Sequence, residues 1–179
     1  MRHKAGVRRA AAAIAALAYA GLAMTVVAKG TGEGHYEATF EYVIGYLFLT
    51  ALLAVALAVG TFRDRSPRGT SLVVAGSLLV AFGVGWGTLA GEDPAWFAVF
   101  GVPGNLLMLA GFVLIARRVR REGMAGVVFA VPLVASVPLS LVAAEIGGGL
   151  VAALLWGLVA AGVADQRGAR RGLAEVVTA

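Results

Sequence analysis

Cysteine is absent from this 179-residue chain, which removes thiol redox chemistry, Fe–S clusters and thiolate zinc sites together. Charge is scarce too: 14% of residues are charged, against about 25% in an ordinary soluble domain. With 60% hydrophobic residues and a mean hydropathy of +0.87, the chain lacks the polar surface of a soluble globule. Its composition likewise excludes disorder, collagen and a disulfide scaffold. An integral membrane protein remains.

Catalytic motifs are also missing. There is no H-E-x-x-H, no G-x-S-x-G around any of the five serines, and no G-x-x-x-x-G-K-[ST] phosphate loop. Metalloprotease, serine hydrolase and nucleotide hydrolysis chemistries therefore have no local signature. The two histidines, His3 and His35, fall in segments expected on opposite sides of the membrane, so a bis-histidine haem site cannot form. No cofactor and no metal are expected.

What is present is a series of uncharged runs: Ala10–Ala28, Tyr42–Phe62, Gly69–Gly91, Pro94–Ala116, Gly123–Ala144 and Ile146–Ala164. Each approaches or exceeds the roughly 20 residues needed to cross a hydrocarbon core of about 30 Å. The expectation is an all-α polytopic bundle in one integral membrane domain over residues 1–179. Its six spans run over 10–28, 42–62, 70–91, 95–116, 124–144 and 146–164. A β-barrel would need strands of about 10 residues alternating in polarity, and no such alternation occurs. Glu145 and the Gly147-Gly148-Gly149 run predict a tight hairpin between the last two spans.

Fourteen of the 15 basic residues fall before span one, between spans two and three, between four and five, or after six; Lys29 alone falls opposite. Arginine and lysine mark retained cytoplasmic segments, so both termini are expected in the cytoplasm, with the protein in the cytoplasmic membrane. The formal net charge of +5 then reflects juxtamembrane clusters that set topology and meet anionic headgroups. Nucleic acid is not an expected partner. Arginine outnumbers lysine 13 to 2, which fits the codon bias of a GC-rich bacterial genome. The start of the chain also has the order of a signal peptide, whose apolar core usually covers about 7–15 residues. Here the apolar run continues through Met24-Thr25-Val26-Val27-Ala28, long enough to span. Cleavage would leave five spans and an outer N-terminus.

Small residues allow helices to approach in lipid. Gly83, Gly85 and Gly87 in span three, the alanine-rich stretch Ala10–Ala20, and Ala153, Gly157 and Ala161 in span six all serve this purpose. They fit packing within one bundle, a homo-oligomer, or contact with another membrane protein. Glu41, Asp93 and Glu145 recur every 52 residues, a spacing that a triplicated hairpin or three hairpins of equal length would both give.

No ionisable residue lies mid-span, which argues against proton-coupled transport through a buried carboxylate. Two sets of polar residues merit attention. Glu33, Glu37 and Glu41, four residues apart, belong to an outer acidic set with Asp93 and Glu145, near Tyr36, Phe40, Tyr42, Tyr46, Trp86 and Trp96. A solvated acidic rim with an interfacial aromatic belt accounts for them. Alternatively, Glu41, Asp93 or Glu145 could protonate a lipid or isoprenoid and the aromatics stabilise the resulting cation, with Glu37 and Trp96 as ligand contacts. The second set is Asn105, beside Pro103-Gly104 in span four, and Ser136 in span five. These residues fit a pocket for a headgroup or small solute, or an interhelical hydrogen bond from Asn105 to Ser136, Thr50 or Ser77. The reading that follows is a membrane protein acting through lipid or protein contacts. The alternatives are a lipid or isoprenoid enzyme and a small-solute carrier or channel.

Overall fold

The computed structural model describes residues 2–29, 37–90, 96–121, 130–138 and 149–161. Its helices are α1 (Arg2–Lys29), α2 (Glu37–Ala58), α3 (Pro67–Ala90), α4 (Phe97–Arg120), α5 (130–138) and α6 (Gly149–Ala160), with a 3-10 turn over Val59–Phe62 after α2. No strand occurs among the described residues. Four helical stretches are long and apolar enough to cross a membrane: Ala5–Val27, Glu41–Phe62, Pro67–Ala90 and Phe97–Arg120. At 1.5 Å per residue, the 24 residues of α3 measure about 36 Å. Where the sequence predicts spans five and six, the described helical residues are 130–138 in α5 and the 12 residues of the apolar α6.

Helix ends differ from the limits set by charge. α1 begins at Arg2 rather than near residue 10, and α4 runs to Arg120, past Ala116. Arginine is a good helix former whose long stem carries its charge outward, so backbone hydrogen bonding continues into the polar zone. Arg117, Arg118 and Arg120 in the last turn of α4 also suit the negative end of its dipole. α3 starts with proline at its first position, where the missing N–H costs nothing.

Trp156, Phe62, Phe112, Leu52 and Ile115 are fully buried, yet much of the helix contact is made by small residues while many large apolar side chains face outward. On α1 the buried face is Ala11, Ala12, Ala15, Ala18, Tyr19 and Ala23, while Leu17 and Met24 are more than 70% exposed. The same holds elsewhere: Leu89, Leu106 and Leu154 point outward, whereas Ala51, Ala54, Val55, Ala58 and Ala152 are buried. In lipid, leucine gains little by leaving the acyl chains, so bundles form where small residues let backbones come close.

The tightest approach joins α3 to α4. A Cβ added at Gly76 would collide with the Gly104 carbonyl oxygen and lie 2.8 Å from the Met108 backbone nitrogen. One added at Gly104 would lie 3.0 Å from the Gly76 carbonyl oxygen, and one at Gly111 would lie 2.6 Å from the Gly69 carbonyl oxygen. Gly83 meets the Phe97 ring at 2.8 Å by the same construction. The seam on α3 is therefore Gly69, Gly76 and Gly83, spaced by seven, facing Gly111, Gly104 and Phe97 on an antiparallel partner. Gly85 of the expected glycine set instead faces Leu49 of α2. Around Gly157 of the expected α6 stripe, nothing lies within 4 Å among the described residues.

Gly21 of α1 faces Leu47 of α2, and Arg8 lies beside Gly60 of the 3-10 turn. Gly45 of α2 contacts Thr88 of α3. Each consecutive pair from α1 to α4 is thus antiparallel. The start of α1, the α2–α3 connection and the end of α4 share one end of the bundle, and these segments carry the described arginines. Lys29 and Glu37 belong to the other end.

Candidate functional site

Asn105 and Ser136, the polar residues expected in spans four and five, border one interior cavity. α4 brings Asn105, α5 brings Ser136, and α1 and α6 add Tyr19 and Trp156. Phe48, Leu52 and Val55 of α2 and Met108 and Phe112 of α4 complete much of the apolar wall. Tyr19 is 5% and Trp156 1% exposed. The Trp156 and Phe112 rings pack with centroids 6.4 Å apart. The cavity measures about 10 Å³, room for about one water molecule.

Local helix geometry explains how Asn105 reaches this space. Val102, Pro103, Gly104 and Asn105 sweep around α4: Val102 and Pro103 are exposed, Gly104 is buried on α3, and Asn105 is half-buried on the cavity. Pro103 therefore places its missing backbone donor on the outer face of α4. The Asn105 amide donates to the Gly101 carbonyl at 2.8 Å, one turn back in its own helix. Of the interhelical partners expected for Asn105, namely Ser136, Thr50 or Ser77, the Ser77 hydroxyl is buried without a hydrogen-bond partner among the described residues. Ser136 donates to the Leu133 carbonyl at 2.8 Å, also within its helix. The groups around the cavity are neutral hydroxyl, amide and indole. They can orient a water molecule or a small hydrogen-bonding group, but none is a general base at neutral pH.

The outer acidic set is placed differently. Glu41 is exposed on α2, and Glu37 is the first residue of that helix. Glu33, His35, Asp93, Glu145 and the 145–148 hairpin lie outside the described residues. Trp96 stands just before α4, where its ring packs against Trp86 (5.8 Å), Phe100 (5.5 Å) and Phe82 (6.1 Å). Phe82 and Trp86 are more than half exposed, so this cluster forms an outward aromatic ledge on the α3–α4 pair. Neither Trp96 nor Glu41 lines the Asn105–Ser136 cavity. Among the described residues, no group of three His, Cys, Asp or Glu side chains could hold a metal ion.

Two cavity residues escaped the sequence reading, although a signal for them exists. Tyr19 and Trp156 lie near the middle of the uncharged runs Ala10–Ala28 and Ile146–Ala164, far from the interfaces that aromatics with polar edges favour. Such placement marks an inward ring. A second opening was also missed because it joins distant parts of the chain: Arg65, Ser66, Pro67 and Arg68 meet Leu114 and Arg118 around a cavity of about 260 Å³ at the arginine-bearing end. No family model, no curated protein and no solved structure matches the chain.

Proposed function

We propose that the chain is a multi-pass protein of the cytoplasmic membrane that works through contacts with lipid or a membrane-protein partner. In this reading it has six spans, both termini are cytoplasmic, and α5 and α6 belong to the fifth and sixth spans. The observation that carries it is the outward exposure of large apolar side chains on helices long enough to cross a membrane. Leu17, Leu57, Leu89 and Leu106 face outward on the long helices, while the interior, filled by Trp156, Phe112, Leu52 and Tyr19 among smaller residues, leaves a space of about 10 Å³. A space of that size suits one water molecule better than a transported solute.

Topology and activity are tested separately. The chain has no native cysteine, so single cysteines report cleanly. Those introduced at Gly34, Glu92 and Gly148 should react with an impermeant thiol reagent applied to intact cells, and one at Asp64 should react only after permeabilisation. Labelling of Asp64 from outside would overturn the orientation, and protection of Gly148 would remove the last hairpin. Asp64 is chosen because it is exposed, unlike its neighbour Ser66.

For activity, lipids retained in native nanodiscs are compared by mass spectrometry between wild type and Glu41→Gln/Asp93→Asn/Glu145→Gln, and between wild type and Asn105→Ala. The expected result is one lipid profile for all three. A discrete isoprenoid or lipid lost in the triple variant would establish the enzyme alternative instead. A small solute lost only in Asn105→Ala would favour the carrier.

A further inference from the structure

The opening at the arginine-bearing end is built from two parts of the chain about 50 residues apart. Arg65, Ser66 and Arg68 come from the α2–α3 connection and the first turn of α3, and Arg118 comes from the last turn of α4. Three guanidinium-bearing side chains converge on about 260 Å³, close to the lower limit of about 300 Å³ for pockets that hold small molecules. Guanidinium presents paired donors that match phosphate oxygens, and like charges gather at lower cost when an anion sits between them.

Other features of the wall agree. Ser66 lines the opening although its residue is only 6% exposed, and a hydroxyl there adds a donor for an anionic oxygen. The α3 helix starts at the same place, bringing the positive end of its dipole, although Pro67 has no N–H and the Thr70 N–H is held by the Ser66 carbonyl. In that first turn the Thr70 hydroxyl is buried and has no hydrogen-bond partner among the described residues. The remaining wall is Pro67 and Leu114, the latter an apolar side chain one turn before Arg118 in α4.

From this geometry we infer a phosphate site formed by Arg65, Arg68 and Arg118 with Ser66, filled by the headgroup of an anionic phospholipid. The arginines and Ser66 hold the phosphodiester oxygens, and Leu114 meets the first carbons of the lipid. This deepens the proposed lipid contact and rests on the membrane reading for the source of the phosphate; the arginine cradle itself does not.

The test uses the full chain in detergent, titrated with phosphatidylglycerol, phosphatidylcholine or inorganic phosphate and read by native mass spectrometry. Arg65→Gln/Arg68→Gln/Arg118→Gln is compared with Arg117→Gln/Arg120→Gln/Arg121→Gln, which loses the same charge outside the opening. Wild type should hold one phosphatidylglycerol at least about tenfold more tightly than the first variant, as expected for losing charge-assisted hydrogen bonds. The second variant should stay within about twofold of wild type, and phosphatidylcholine should not distinguish the three.

Equal losses in both variants would overturn the site and leave only diffuse positive charge. Binding of inorganic phosphate that depends on the same three arginines, with phosphatidylglycerol unaffected, would keep the cradle and overturn the lipid source. Should the glutamine variant fail to fold, Arg65→Lys/Arg68→Lys/Arg118→Lys keeps the charge and removes the paired donors. A several-fold loss of phosphatidylglycerol in that variant supports the site, and wild-type binding overturns it. Cysteine labelling reads the membrane topology independently, so failure of either inference is recognisable by itself.

Discussion

Replacing Gly76 with leucine is expected to push α3 and α4 apart and to destabilise the bundle by about 3 kcal/mol or more, the upper range for overpacking a filled interior. The obstacle is backbone. The first carbon added at Gly76 meets the Gly104 carbonyl oxygen and the Met108 backbone nitrogen, and neither can move aside without moving α4. Unfolding by SDS titration or by heat, followed by circular dichroism, measures the effect. Gly157→Ala is the contrasting substitution, because nothing lies within 4 Å of an added Cβ there among the described residues. It should be neutral or stabilise by up to about 1 kcal/mol through helix propensity. An unchanged midpoint for Gly76→Leu would refute the seam. Clear destabilisation by Gly157→Ala would show that another surface covers α6.

The second large effect belongs to Trp156. Its ring is 1% exposed, packs on Phe112 and closes the interior cavity beside Tyr19, Asn105 and Ser136. Truncation to alanine removes the largest fully buried side chain of the bundle, and its expected cost is about 3–5 kcal/mol. Trp156→Phe keeps a ring against Phe112 and should recover most of that loss. The same unfolding measurement decides the matter. If Trp156→Ala unfolds with wild type, α6 contributes little to the folded bundle.

Much of the helix layout is legible in the sequence because charge is excluded from hydrocarbon regardless of packing. The first four uncharged runs mark α1 to α4 within a few residues at most ends. The larger departures are at Arg2, Glu37 and Arg120, where a helix continues beyond the apolar run because its backbone still needs partners. The glycine seam was harder to read. Sequence attention went to Gly83, Gly85 and Gly87 and to the four-residue spacing of Ala153, Gly157 and Ala161, whereas the close approach uses a seven-residue spacing. Seven residues are nearly two turns, so Gly69, Gly76 and Gly83 share a face. They become conspicuous only once Gly111 and Gly104 are counted backward against them.

The candidate site divides in the same manner. Asn105 and Ser136 stand out from sequence because polar groups are rare within the runs. Their hydrogen bonds to Gly101 and Leu133 do not stand out, because every helix offers such carbonyls one turn back. The rings of Tyr19 and Trp156 come from the two ends of the chain, and only the contact of α1 with α6 brings them near each other. The arginines of the second opening read individually as topology markers. Their convergence depends on how closely α3 approaches α4.

That closeness has a mechanical consequence. Glycine has no rotamers to lose on packing and none to rearrange afterward, so two helices touching backbone to backbone resist sliding and splaying. Gly69 faces Gly111, beside Arg68 and four residues from Arg65 on one side of the contact, and two turns from Arg118 on the other. The glycine contact therefore works as a spacer that fixes the gap between opposing guanidinium groups. A methyl group at Gly111 would widen that gap without altering a single charge.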